Sequence, residues 1–114
     1  MEAQFSIIVG EKLSAITFVL DYWQLQFDGP EINVYSRITV RSKGSVVRDG
    51  DDQFRNRICE RIGKIVEETK LEESEAFIVS FEDQSSISIS LRPEDYRGPE
   101  AMLFRGPNNY LAVL

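Results

Sequence analysis

The sequence predicts an α+β fold, a mostly antiparallel sheet of about five to six strands packed against one central helix in the order β-β-β-α-β-β-(β). Three observations lead there. Apolar and polar residues alternate through residues 16–40, a stripe with helical period occupies the middle of the chain, and two further alternating runs separated by a short polar turn follow it. At 114 residues, 42% apolar and 28% charged, the chain has the size and composition of one globular domain spanning 1–114.

In the first run Ile16, Phe18 and Leu20 share a face, and Trp23, Leu25 and Phe27 resume the alternation after a phase shift at Asp21, which marks a bulge or tight turn. Gln24, Gln26 and Asp28 give residues 23–27 a wet face, with Trp23 read as core, and Asp28-Gly29-Pro30 ends the strand. Residues 31–40 alternate through Ile32, Val34, Ile38 and Val40, broken at Ser36, and read as a third strand closed by the turn Ser42-Lys43-Gly44-Ser45. Residues 5–9 read as one more short strand before Gly10.

From Asp49 the period lengthens: Phe54, Ile58, Ile62, Ile65 and Val66 make one apolar stripe, which predicts a helix running to Thr69 or Lys70. Asp49, Asp51 and Asp52 are expected to cap its start. Arg57, Glu60, Arg61, Lys64, Glu67 and Glu68 form its solvated face, with Glu60 and Lys64 paired one turn apart, and Cys59 beside the stripe is expected as a packing residue. Residues 76–81 and 86–91 then make a hairpin, Phe77, Val79 and Phe81 against Ile87, Ile89 and Leu91, with Ser86, Ser88 and Ser90 as the hydrated row. The turn-rich segment 92–109 wraps the sheet, and residues 110–114 close it as a last short strand.

The chain has no histidine and one cysteine, so it lacks the commonest general base near neutral pH, the commonest transition-metal ligand and a thiolate zinc set. No catalytic residue, metal ligand or cofactor is expected: the serines have no histidine to activate them, the glycines open no phosphate-cradling loop, and Asp49-Gly50-Asp51-Asp52 lacks the spacing of a calcium loop. With 19 acidic against 13 basic side chains the average surface potential opposes nucleic acid and anionic membrane. No apolar stretch approaches the roughly 20 residues that span a bilayer, and the opening residues lack the pattern of a secretory signal, so a reducing cytoplasm is the expected compartment.

The run Leu25-Gln26-Phe27-Asp28-Gly29-Pro30, a central helix, and the closing Leu91-Arg-Pro-Glu-Asp-Tyr-Arg-Gly-Pro-Glu-Ala101 together resemble small uncharacterised bacterial proteins, some of which are similar to immunity proteins of polymorphic toxin systems. The resemblance lies in turn motifs and layout and carries over no functional residue. It implies a non-enzymatic interaction protein, an immunity-like inhibitor whose acidic groups meet a basic partner. The expected contacts are carboxylates outside the helix cap: Glu72, Glu73 and Glu75 in the connector and Glu94 and Asp95 in the last loop. Two alternatives stay open: a small-ligand binder or carboxylate enzyme using a pocket beside segment 92–109, and a homo-oligomer, such as a homodimer, paired through strand edges.

Overall fold

A computed structural model describes residues 2–114. The chain opens helically, as α1 (Glu2–Phe5) and a 3₁₀ turn at Ser6–Ile8, rather than as the strand expected over 5–9. The burial explains it: Phe5 and Ile8, three apart, are fully buried, whereas Ile7 and Val9 between and after them are exposed. Five residues cannot separate that period from an alternating one.

β1 (Ala15–Val19) and β2 (Tyr22–Gln26) pair as a hairpin with Val19 opposite Tyr22, so the phase shift at Asp21 is a tight turn. The expected third strand is two strands, β3 (Glu31–Val34) and β4 (Ile38–Ser42). Between them the chain leaves one sheet for another at the fully buried Ser36, whose hydroxyl donates to the Asp95 carbonyl (3.2 Å). The break in alternation is therefore a sheet change. Lys43 and Gly44, both at positive φ (49° and 77°), make the tight turn into β5 (Ser45–Arg48), the backbone sense that suits a two-residue hairpin.

The long central helix is absent: α2 spans only Phe54–Cys59, and the chain re-emerges as β6 (Val66–Glu72). Gly63, at φ +93°, turns left-handed and donates its N–H to the Leu13 carbonyl (2.8 Å), while Leu13 N–H reaches the Lys64 carbonyl (3.0 Å). Backbone bonds to the distant segment 10–13 thus replace those a continuing helix would make. Phe54 and Ile58 are buried as the stripe requires, but Ile62 is 42% exposed and Val66 packs from a strand. Cys59, expected as a buried or half-buried packing residue, is exposed.

The expected hairpin is present as β7 (Ala76–Phe81) and β8 (Ser86–Ser90), its serine row half-buried. The apolar group in the closing segment is a strand, β9 (Met102–Arg105), and β10 (Leu111–Val113) follows. Among the described residues ten strands make two antiparallel five-stranded sheets, β1-β2-β3-β9-β10 and β5-β4-β8-β7-β6, in place of one sheet on one helix. Their inward residues align across strands: Leu25, Ile32 and Phe104 in the first sheet, Ile38, Ile89 and Phe77 in the second.

Both rows join a single buried cluster. Phe5 sits between the sheets, its ring 5.1 Å from that of Phe77 and 5.2 Å from that of Phe104. On α2, Phe54 stacks edge-on against Trp23 of β2 at 5.2 Å, leaving Trp23 half-buried. The helix is a plug rather than a layer. Among the described residues no helix is long and apolar enough to cross a membrane.

Candidate functional site

Antiparallel order gathers turns at the two ends of the second sheet. At one end the β6–β7 turn meets the chain leaving β8, where Leu91 N–H donates to the Glu75 carbonyl (2.9 Å). Beyond Leu91 the chain makes a 3₁₀ turn at Pro93–Asp95, and the Tyr96 hydroxyl donates back to the Leu91 carbonyl (3.0 Å). Leu114, pinned by backbone bonds with Ala101 and Met102, closes the group. The result is a concavity of about 370 Å³ with an apolar floor of Leu71, Leu91, Pro93, Tyr96 and Leu114. Glu73 and Ser74 form its polar lip.

The sequence-predicted carboxylates distribute unevenly around this place. Glu73 lines the concavity, and Glu72 and Glu75 flank it on the same turn. Among the described residues neither Glu73 nor Glu75 has an ion-pair partner, whereas Glu72 lies 3.4 Å from Lys70. Glu94, beside Pro93, pairs with Arg92 at 2.7 Å on the surface, a contact worth little in water. Asp95 is spoken for: its carboxylate accepts the Ser90 hydroxyl at 2.6 Å and its carbonyl accepts that of Ser36. Both groups help to hold the turn in place. The floor residues were not singled out in sequence; Tyr96, an aromatic inside a Pro- and Gly-rich run, was the available signal.

The 3₁₀ turn is tied to the body by a clamp that sequence reading also missed. Asp49 was expected to cap the helix, but α2 has no side-chain cap, and the Asp49 carboxylate is buried against Arg97, which donates to it, and Arg37, 3.7 Å away. Asp51 accepts the Arg48 N–H (2.8 Å) instead of capping. Arg97 N–H also donates to the Tyr35 carbonyl (2.7 Å), so the segment carrying Pro93 and Tyr96 is held at both side chain and backbone.

At the other end of the second sheet, Asp83 in the β7–β8 turn organises a second polar cluster. Burial would raise its carboxyl, but the Ser85 hydroxyl and N–H (2.9 Å) donate to it and Arg61 and Lys64 lie beside it, so it is held below the ordinary aspartate range. Arg61 donates to Asp83 at 3.3 Å and lies 3.7 Å from Glu60. The expected Glu60–Lys64 pair is replaced: Glu60 faces Arg57 and Arg61, and Lys64 faces Asp83. Because the folded pKa lies below the unfolded one, Asp83 contributes stability that is fully present above the ordinary aspartate value and lost as pH falls through the lowered one. Asp83→Asn is therefore expected to flatten the acid limb of a stability-versus-pH curve measured by urea unfolding; an unchanged limb would refute the assignment.

Comparison with known proteins finds no matching family model, no similar curated protein and no similar solved structure. Among the described residues no group of three or more histidine, cysteine or carboxylate side chains converges to hold a metal ion.

Proposed function

We propose that this chain is a non-enzymatic protein-binding module that receives a basic partner on the end of the second sheet formed by the β6–β7 turn and the 3₁₀ turn. The observation that carries this reading is the apolar concavity with Glu73 on its lip and unpaired Glu75 beside it. An apolar, aromatic-containing centre with a charged rim is the usual anatomy of a protein interface. Complementary charge at such a rim speeds association and selects partners more than it adds affinity. The turn motifs shared in sequence with immunity-type proteins, without the central helix, suggest a basic toxin domain as the class of partner. A carboxylate enzyme fits less well here, because the Asp95 carboxylate is already engaged by Ser90. The concavity's size, near the lower end of ligand pockets, keeps a small-molecule binder as the second reading.

The test is affinity capture from the source lysate at low and physiological salt, followed by charge reversal on the captured pair. Glu73→Lys with Glu75→Lys is expected to weaken binding about tenfold or more, chiefly through a slower on-rate that loses its salt dependence. Asp95→Asn is excluded from that set, since it would perturb the turn itself. Capture of an acidic partner, or a basic one indifferent to both reversals, would remove the reading.

A further inference from the structure

The chain carries a net charge of −6, yet one concavity runs against that sign. At the opposite end of the second sheet from the acidic lip, the β4–β5 turn, the residues around the end of α2 and the β7–β8 turn enclose about 570 Å³. Lys43, Arg57, Arg61 and Lys64 line it against Glu60 and Asp83, so four cations face two carboxylates and two positive charges are left over. Topology makes this assembly: β4 and β8 are paired, with Arg41 opposite Ser86, which brings their adjoining turns side by side.

We propose that this cavity binds a compact phosphoryl dianion, either inorganic phosphate or the phosphate group of a small monoester, with Lys43, Arg57 and Arg61 as its principal contacts. The two carboxylates do not cancel the cations so much as hold them. Asp83 and Glu60 engage the terminal nitrogens of Arg61, whose side chain is only 7% exposed, and fix it at the wall. What they leave unmet is specific. The Nε atoms of both Arg57 and Arg61 are buried with no acceptor, and among the described residues Lys43 has no ion-pair partner. A buried guanidinium donor without an acceptor is uncommon, because its lost hydration goes uncompensated. An anion seated among these side chains would bring acceptors to a wall whose guanidinium donors are not all met.

The ligand class follows from charge and shape. A phosphate monoester carries close to two negative charges at neutral pH, matching the excess at the wall. Guanidinium forks suit its oxygens, and lysine adds a point charge. The Ser42 hydroxyl on the same wall is a further neutral donor. An extended polyanion is disfavoured, since a nucleic-acid backbone would meet the acidic surface beyond the cavity, whereas a small anion feels mainly the local field within about 8–10 Å at ordinary salt. Lys43 itself occupies a left-handed turn position (φ 49°) at which Asn, Asp or Gly is the low-strain choice, so the turn's geometry does not account for a lysine there.

Lys43→Asn removes the cation while easing the backbone, so the variant is expected to fold at least as stably as the natural chain. Amide NMR spectra are recorded while inorganic phosphate, phenyl phosphate or citrate is added at constant ionic strength. The expected result is saturable shifts confined to residues 42–45, 57–64 and 83–85, with a Kd of about 1 mM or tighter for a phosphoryl probe. Lys43→Asn and Arg57→Gln should each weaken that binding about tenfold. Tighter binding of phenyl phosphate than of phosphate identifies a monoester as the natural source, and the reverse order identifies free phosphate. Shifts that never saturate, shifts spread over every lysine and arginine, preference for citrate, or undiminished binding by Lys43→Asn would each overturn the proposal.

Discussion

Phe5→Ala is expected to cost about 3–5 kcal/mol of folding stability, the range found for removing a buried aromatic ring. Phe5 is fully buried, and its ring reaches both sheets, through Phe77 and Phe104. Truncation leaves a ring-sized cavity where the inward rows of β7 and β9 meet, and neither row can close it without moving a paired strand. Because a domain of this size is stable by only about 5–15 kcal/mol, the loss is a large fraction of the total. Urea unfolding should show a lower midpoint with an unchanged slope, since the variant exposes the same surface on unfolding. Ile7→Ala, two residues on but 42% exposed, serves as the control and is expected to cost less than about 0.5 kcal/mol. Equal effects of the two substitutions would mean that α1 does not dock between the sheets.

Phe5 also shows where the sequence stops being legible. The hairpin of β7 and β8 could be read because its alternation is local: Phe77 faces Ile89 and Val79 faces Ile87 across a turn of a few residues. The turn at Asp21 and the turn after Ser42 were legible for the same reason. The stripe from Phe54 to Val66 was not, because a short helix, a left-handed glycine and a strand start can satisfy the same spacing. Gly63 was the available warning, since glycine commonly follows a helix end. Nothing local announces that Leu13 will take the backbone bonds of Gly63 and Lys64. β9 was hidden differently: Met102 and Phe104 alternate correctly with Leu103, but the run is too short to outweigh the prolines and glycines around it. Of the candidate site, the run of acids Glu72, Glu73 and Glu75 is visible in the sequence, but not that it lies beside an apolar hollow. The floor of that hollow was not legible, because Leu71 and Leu114 meet only through the tertiary fold. The cationic cavity was hidden by the same logic, since Lys43 and Asp83 stand far apart in sequence and the overall charge points the other way.

The Asp49 clamp leads to the other large effect, and its asymmetry is the informative part. The Asp49 side chain is 2% exposed, whereas those of Arg97 and Arg37 are 44% and 52% exposed. Removing Arg97 strands a buried carboxylate with one partner 3.7 Å away, beyond hydrogen-bond distance. Neutralising Asp49 instead releases two guanidiniums that water already reaches. Arg97→Gln is therefore expected to cost about 2–3 kcal/mol and Asp49→Asn only about 1 kcal/mol, because a buried charge left without its partner loses more than a solvated one. The double variant should be more stable than Arg97→Gln alone, since the second substitution removes the charge that the first left stranded. Urea unfolding of the two single variants and the double decides this, and a double variant less stable than either single would refute it. The clamp also bears on binding, because Arg97 adjoins Tyr96 and fixes the segment that forms part of the concavity's floor. Arg97→Gln should thus weaken capture of a basic partner even at temperatures where the variant is fully folded, whereas Glu73→Lys should weaken it with no change in stability. Separating those two effects distinguishes a residue that positions the face from one that meets the partner.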